Sequence, residues 1–361
     1  KLVVFAFPLL LANILQSFYN VVDMLVVGRI VGDTGLAAIG NASKLCYIIN
    51  SICIGVTMGG TVLIAQYKGA NDEQGQSETV GTLFAISLIA SFIVTIIGLI
   101  VYKPLFHILN VPAASMQDAC EYMKIICCGT IFVFGYNAVC SIMKGFGDSK
   151  SPLYFVAIAT VANVILDLIL VGPFNMGTAG AAYATIFSQG VSLFVSIIHL
   201  KRKKFVFDFK IKHFAIKSDK LITVLKVGLP TAIQMVIVNI SYLLITGMLN
   251  YFGVSVAAAS GVGLKVNTFA GMPCWAIGQA VTAMVGQNVG ANDIERVRKT
   301  TKIGLYLNVS VTLIAIIIVQ LFAEQIIMLF EPESQEVIKD GVLYLRMCCG
   351  INSLIYAAMY T

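Results

Sequence analysis

The sequence predicts an all-α membrane protein with two pseudo-symmetric six-helix lobes, of which about 10 of 12 transmembrane helices are present. Composition is the first reason. Of the 361 residues 58% are hydrophobic and only 12% are charged, and the mean hydropathy is +0.89. Soluble domains carry roughly 25% charged residues, so this composition excludes that class. The other two reasons are a series of long apolar runs and an internal repeat.

The apolar runs are long enough to cross a bilayer, which requires about 20 largely apolar residues per helix. Turn-forming and charged residues separate them, as at Gly145–Asp148 and Glu331–Glu333. The predicted spans are residues 3–27, 45–67, 79–102, 122–143, 153–171, 178–200, 221–249, 266–285, 303–322 and 342–360.

The repeat carries Gln66–Asp72 onto Gln287–Asp293, a shift of 221 residues, and Gly32 onto Gly253. Because each copy would hold an even number of spans, both copies have the same orientation. They should therefore be related by an axis along the membrane normal, with a cavity between them. The chain ends at the repeat position of Cys140, so we expect two further carboxyl-terminal spans that this sequence lacks.

Lysine and arginine residues concentrate in alternate loops, and such cations favour the cytoplasmic side. We expect a plasma- or inner-membrane protein whose amino terminus and basic 201–226 loop are cytoplasmic. The predicted domains are an amino-terminal lobe at 1–200, a basic cytoplasmic linker at 201–220 and an incomplete carboxyl-terminal lobe at 221–361. We interpret the basic cluster as a stop signal that contacts lipid. With so few charges no nucleic-acid partner is expected, and we expect a monomer.

Two acids, Asp23 and Asp167, lie well inside apolar runs. Each costs about 2.5–3.5 kcal/mol at the centre of a spanning helix, so each needs a polar pocket or a proton. In the first span Asn13, Gln16 and Asn20 share one helical face with Asp23, because the steps between them are three, four and three residues.

In the fifth span Asn163 and Asp167 are four residues apart, and the sixth span offers Thr185 with Tyr183 and Gln189 nearby. Such a cluster can hold a small hard cation through oxygen ligands, or it can take up a proton near neutral pH. Either property would make a coupling-ion site. The alternative is a set of interhelical hydrogen bonds that only holds the bundle together.

The second half lacks the first acid, because the repeat places Leu244 where the first half has Asp23. It offers neutral polar groups fit for contacting substrate, among them Gln234, Asn239 and Tyr242, although helix packing is the alternative role for each. The predicted substrate-cavity residues of both halves are Asn13, Gln16, Asn20, Tyr183, Gln189, Gln234, Asn239 and Tyr242.

An enzyme is not expected, because no nucleophile with a base, and no set of metal ligands, has suitable spacing at membrane depth. No P-loop is present, so ATP is not an evident energy source. We expect no cofactor, with H⁺ or Na⁺ as the coupling ion. A receptor-like signalling bundle is disfavoured by the repeated lobes.

The residues resemble those of the multidrug and toxic compound extrusion (MATE) transporters. The likeness is carried by Pro8, by Val22–Arg29, by the paired Gly-Ala-Asn-Asp turns and by Lys144–Ser149, while Asn163–Asp167 resembles the fifth-span motif of the DinF-like branch. The resemblance implies a twelve-span antiporter that exports cationic or amphipathic organic compounds in exchange for H⁺ or Na⁺.

By motif match with that family, Asp23, Asn163, Asp167 and Thr185 would form a cation site in the amino-terminal lobe, possible for Na⁺ as for H⁺. The alternative function is a lipid-linked oligosaccharide flippase of the same superfamily. A flippase would want a strongly cationic cavity, and inside its spans this chain has only Lys124 and Arg346, both near span ends.

Overall fold

The computed structural model describes residues 1–202, 205–210, 213–330 and 334–361, with the side chains at 250, 254, 257, 351 and 352 left out. Part of the predicted basic linker, Lys203 and Lys204 with residues 211–212, therefore lies outside the described residues. The predicted turn Glu331–Glu333 lies outside them as well.

The described chain is all-helical and contains no strand. Its helices are α1 Leu2–Ile30, α2 Asp33–Gly69, α3 Glu73–Ile108, α4 Ala113–Cys128, α5 Thr130–Gly145, α6 Lys150–Val171, α7 Gly177–Arg202, α8 Ser218–Asn250, α9 Val254–Gly290, α10 Ile294–Met328, α11 Gln335–Cys348 and α12 Ile351–Met359.

Seven of these helices are long and apolar enough to cross a membrane, and the number rises to nine if two bent pairs each count as one span. The pairs are α4 with α5, bent by 52°, and α11 with α12, bent by 41°. The predicted span at 122–143 is thus two helices that meet at Gly129. The span predicted at 266–285 lies within α9, which has 37 residues like its repeat partner α2 but is not among these nine.

The packing of the described residues divides the chain into two compact units. One unit comprises Lys1–Ile14 and Ile237–Thr361, and the other comprises Leu15–Val236. The first turns of α1 therefore pack with the second half of the sequence, where Leu9 is buried with Ala276 and Ala280. The predicted lobe boundaries at residues 200 and 221 stay a prediction.

The repeat is visible in the backbone at the turns between helices. Gly32 and Gly253, which the repeat relates, both have positive φ, 87° and 113°. Asn71 and Asn292, also related by it, both have φ 55°, a left-handed conformation that asparagine tolerates better than most residues. The aspartate that follows each asparagine caps the next helix through a backbone N–H, at 2.9 Å and 3.0 Å.

Candidate functional site

The second half of α1 brings Asp23 into the interior of the 15–236 unit, where the side chain is only 5% exposed. Val27, one turn later on the same face, is fully buried with Ala38 and Met123 in the main apolar cluster of this unit. Apolar packing of α1 therefore buries the Asp23 carboxylate, and a buried carboxylate needs polar partners.

Helix α6 supplies the second carboxylate together with an amide. The helix is anchored at its start by Asp148, whose carboxylate accepts the backbone N–H of Ser151 at 3.0 Å and its hydroxyl at 2.6 Å. More than three turns further on, Asn163 and Asp167 are 1% and 0% exposed. Their spacing of four residues places both on one face, as predicted.

Helix α7 supplies a hydroxyl donor. The Thr185 hydroxyl donates to Oδ2 of Asp23 at 3.2 Å, across 162 residues of sequence. The Ser192 hydroxyl fixes α7 against α6 by donating to the carbonyl of Phe155 at 2.7 Å. Three helices thus converge on Asp23, which lies beside Asp167, Asn163 and Thr185.

Several polar atoms of this cluster are buried without a protein hydrogen-bond partner. They are the second carboxylate oxygen of Asp23, both carboxylate oxygens of Asp167 and both polar atoms of the Asn163 side chain. Two adjacent carboxylates in an apolar surrounding repel each other unless a proton or a cation lies between them. The arrangement is therefore chemically suited to take up a small positive ion, and oxygen atoms are the ligands that hard cations prefer.

Within the described residues no group of three or more His, Cys, Asp or Glu side chains has the arrangement of a metal centre. Two carboxylates with an amide and a hydroxyl make a smaller set, which fits a monovalent cation or a proton better than a tightly held transition metal.

The profile of the MatE family matches this sequence in two stretches, residues 8–169 and 230–357. The chain belongs to the MATE family of membrane transporters. Each MatE match begins at one of the two prolines that stand near the start of each half, Pro8 and Pro230. This MATE chain is therefore a multi-pass membrane protein with two related halves.

Curated relatives agree with this assignment. The probable multidrug resistance protein YoeA of Bacillus subtilis (strain 168) is 31% identical over 339 residues, which cover 92% of this chain and 73% of YoeA. The probable multidrug resistance protein NorM of Thermotoga maritima is 27% identical over 346 residues, covering 93% of this chain and 73% of NorM.

Solved structures show the same fold. One is an outward-facing conformation of a multidrug resistance MATE family transporter of the MOP superfamily, with TM-score 0.89 and 22% identity over 99% of this chain and 84% of the other. Another is a MOP superfamily transporter from Pyrococcus furiosus, described as having a binding pocket of reverse polarity that suggests a different function. It has TM-score 0.89 and 23% identity, with the same coverage.

Two of the predicted cavity residues of this MATE chain lie near the carboxylate cluster, by which we mean Asp23, Asn163, Asp167 and Thr185. Gln16 on α1 and Gln189 on α7 both approach the hydroxyl of Tyr19, and Tyr19 also lies near Asp23. Gln189 is only 6% exposed, and its side-chain carbonyl oxygen has no protein partner. We call Gln16, Tyr19 and Gln189, which are neutral and lie next to the carboxylates, the neutral polar wall.

The other cavity residues of the first half are placed differently. Asn20 is exposed, and Asn13 belongs to the other packing unit, where its side-chain nitrogen is buried without a hydrogen-bond partner. Tyr183 is exposed and stacks on the exposed ring of Phe187 at 6.0 Å. Because it stands two residues from Thr185, it lies on nearly the opposite face of α7, and its role in the substrate cavity stays a prediction.

The cavity residues of α8 fall in both packing units. Gln234 is exposed and belongs to the 15–236 unit. Asn239 and Tyr242 are half-buried and belong to the other unit, where Tyr242 lies near Tyr356. Their role in contacting substrate stays a prediction.

Sequence reasoning missed three groups around the carboxylates. Tyr19 lies one turn before Asp23, and Tyr122 on α4 is buried near both acids. Thr160, 7% exposed, extends the polar face of α6 and has an unpartnered hydroxyl. The spacing of Thr160 from Asn163 and of Tyr19 from Asp23 was a usable signal, whereas only the fold brings Tyr122 close.

Proposed function

We propose that this chain is a cation-coupled antiporter that exports cationic or amphipathic organic compounds by alternating access, with H⁺ or Na⁺ as the coupling ion. The observation that carries the proposal is the buried pair of carboxylates, Asp23 and Asp167, with unpartnered oxygens and with Asn163 and Thr185 beside them. Packing alone would not require two acids there, because neutral groups avoid their cost.

The mechanism is a competition for the negative charge of this cluster. An inward-moving H⁺ or Na⁺ lowers the negative charge of the Asp23–Asp167 pair by one and thereby lowers the affinity for a cationic substrate. After the ion leaves on the other side, the carboxylates are again available to attract substrate. Exchange is coupled only insofar as the ion and the substrate differ in affinity between the two access states.

Two observations support organic compounds as the transported substrates. Relatives such as YoeA and NorM are named as probable multidrug resistance proteins. The neutral polar wall of Gln16, Tyr19 and Gln189 combines amide and aromatic groups, which can contact varied organic molecules without a fixed pattern of charges.

The lipid-linked oligosaccharide flippase remains the alternative. It would need cations that bind phosphate inside the protein. Lys124 and Arg346, the cations near span ends, are both exposed. The described residues therefore favour a drug or organic-cation exporter.

We further propose that the protein is a monomer in the plasma or inner membrane, with its amino terminus and the basic 201–226 loop on the cytoplasmic side. The loop cations support this orientation. No nucleic acid and no resident cofactor takes part in the proposed cycle. The DinF-like branch assignment rests on Asn163–Asp167 and stays a prediction.

The decisive experiment compares Asp23→Asn with Asp33→Asn, an exposed aspartate at the start of α2. Each protein is placed in proteoliposomes and assayed for transport of ethidium, a fluorescent organic cation, under a proton gradient and, separately, a sodium gradient. We expect the wild type and Asp33→Asn to respond to one gradient and Asp23→Asn to respond to neither. Full ion-driven transport by Asp23→Asn would refute the site, and the gradient that drives the wild type names the ion.

A further inference from the structure

The linker between α7 and α8 is docked onto the amino-terminal half of the protein. Phe207 is only 1% exposed and belongs to an apolar cluster with Ile64, Val80, Leu83 and Val224. A side chain this deeply buried is part of a core and does not belong to a free loop. We call the described linker residues 205–210 and 213–217 the strap.

Aromatic packing joins the strap to α3. Phe84 of α3 is surrounded by three strap phenylalanines, with ring centroids 6.1 Å from Phe207, 5.9 Å from Phe209 and 5.8 Å from Phe214. At the other end of the strap, Phe205 packs edge-on against Phe146 at 4.7 Å. The spacing and tilts are those of favourable aromatic contacts.

The backbone of the strap also touches α3. Gly81 allows the closest approach, because a Cβ at this position would collide with the carbonyl oxygen of His213. The next residue, Thr82, is fully buried and its hydroxyl binds the strap twice. It accepts the backbone N–H of Lys217 at 3.2 Å and donates to the carbonyl of Ala215 at 3.5 Å.

Charged groups fix the point where the strap becomes α8. The Lys220 ammonium, on a side chain that is mostly buried, donates to the Tyr67 hydroxyl at 2.6 Å and lies 2.8 Å from Asp219. Glu78 of α3 lies 4.0 Å from Lys220 and 3.9 Å from Lys217. The amino-terminal end of α8 is thereby held to α2 and α3.

The first half of α8 continues this contact along α2. Small residues let the two backbones approach closely. A Cβ at Gly59 would collide with the carbonyl of Val224, and a Cβ at Gly55 would collide with Ala232. Val224 is fully buried. Residues of α8 up to Val236 belong to the same packing unit as α2 and α3.

We propose that the strap is a conformational device that fastens residues 218–236 of α8 to α2 and α3, so that this segment stays with those helices while the protein changes its access state during transport. The basic linker then has a structural role, in addition to the predicted contact of its lysine and arginine residues with lipid. None of the strap contacts involves Asp23 or Asp167, so the strap can act whether or not those acids bind the ion.

The test uses the full chain in detergent and in proteoliposomes, with two variants and two matched controls. Gly81→Val pushes the strap away, whereas Gly40→Val adds the same bulk on α2, where a Cβ meets nothing within 4 Å. Thr82→Val removes the two strap hydrogen bonds, whereas Thr79→Val removes a hydrogen bond, 2.7 Å long, to the Gly75 carbonyl of its own helix. Thr82→Val is nearly isosteric, so it remains informative if Gly81→Val fails to fold.

Hydrogen–deuterium exchange is followed in peptides from residues 205–217 and 218–236, together with ethidium binding and transport. We expect each strap variant to speed exchange in both peptides about tenfold relative to its control, because local opening exposes amides. We expect transport to slow about tenfold while ethidium affinity changes by less than about twofold, since the gating motion is affected and the site is not.

Three results would overturn the proposal. In the first, the strap of the wild type exchanges as fast as an unstructured peptide. In the second, strap variants speed exchange at 205–217 but leave 218–236 unchanged, so the strap does not hold α8. In the third, both peptides open and ethidium transport keeps its rate. Full ion-driven transport by Asp23→Asn, with exchange still faster in the strap variants, would count against the proposed ion site and not against the strap.

Discussion

At the scale of single residues, the carboxylate cluster contains neutral groups that can orient a carboxylate as well as the two carboxylates themselves. The Thr185 hydroxyl donates to Asp23 at 3.2 Å, while both carboxylate oxygens of Asp167 and both polar atoms of the Asn163 side chain have no hydrogen-bond partner among the described residues. Thr185 is therefore a donor from a neighbouring helix that helps to orient Asp23.

Thr185→Val should weaken coupling without unfolding the protein, because valine keeps the shape and removes the donor. A hydrogen bond to a charged group contributes about 1.5–3 kcal/mol, so the ion concentration for half-maximal ethidium transport should rise roughly tenfold or more. Thr185→Ser retains the hydroxyl and serves as the control. Equal ion dependence of the valine and serine variants would show that this contact is incidental.

At the scale of helices, the bend between α4 and α5 is held by a threonine from a neighbouring helix. The two helices meet at Gly129 at an angle of 52°. The Thr95 hydroxyl donates to the carbonyl of Cys127 at 2.9 Å and lies 2.6 Å from the hydroxyl of Thr130. A carbonyl released by the break is therefore satisfied inside the bundle, as a membrane interior requires.

Thr95→Val should lower the thermal unfolding midpoint in detergent. It leaves the Cys127 carbonyl with one partner fewer, at a cost of about 1–3 kcal/mol. The control is Thr301→Val, an exposed threonine that bonds only to the Val297 carbonyl of its own helix at 3.1 Å. If both variants melt at the same temperature, the bend does not need this support.

At the scale of the whole molecule, the two halves share a repeat but differ in the charged side chains that they bury. Among the described residues, the buried charged side chains are Asp23, Asp167 and Lys220, and all three belong to the 15–236 unit. The other unit buries neutral polar groups such as Asn308, which is fully buried and donates to the Ala357 carbonyl and the Thr361 hydroxyl, both at 3.0 Å.

Asn308→Leu should therefore separate stability from coupling. Loss of these hydrogen bonds should reduce stability by about 1–3 kcal/mol, seen as a lower melting temperature. The ion dependence of ethidium transport should stay that of the wild type, in contrast to Thr185→Val. A large shift in ion dependence would mean that the second half takes part in ion binding.

Much of the fold follows from sequence because membrane spans and repeats leave strong local patterns. Hydropathy marks the helices, and the four-residue step from Asn163 to Asp167 is enough to place both on one helical face. Family resemblance groups Thr185 with them, and the fold brings its hydroxyl to Asp23. Tyr183 shows the limit of this reasoning, because a residue two positions from Thr185 lies on nearly the opposite helical face, and its place in the substrate cavity stays a prediction.

Other features have no local pattern. The bend at Gly129 depends on which side chains of α3 and α7 lie opposite it, and Tyr122 approaches the acids only through helix packing. The docking of Phe207 has no local sequence signal, because the linker is basic by composition and three of its phenylalanines contact Phe84, more than a hundred positions earlier. The division of α1 and α8 between two units is likewise a property of packing.

The matched turns separate the part of the fold that both halves share from the part in which they differ. Gly32 and Gly253 both have positive φ, and Asn71 and Asn292 both have φ 55°, so the chain reverses direction in the same way at both repeat positions. The helix faces between these turns differ, because the first half has Asp23 where the repeat places Leu244 in the second. A repeated backbone can therefore carry different chemistry in its two halves through single side chains on helix faces.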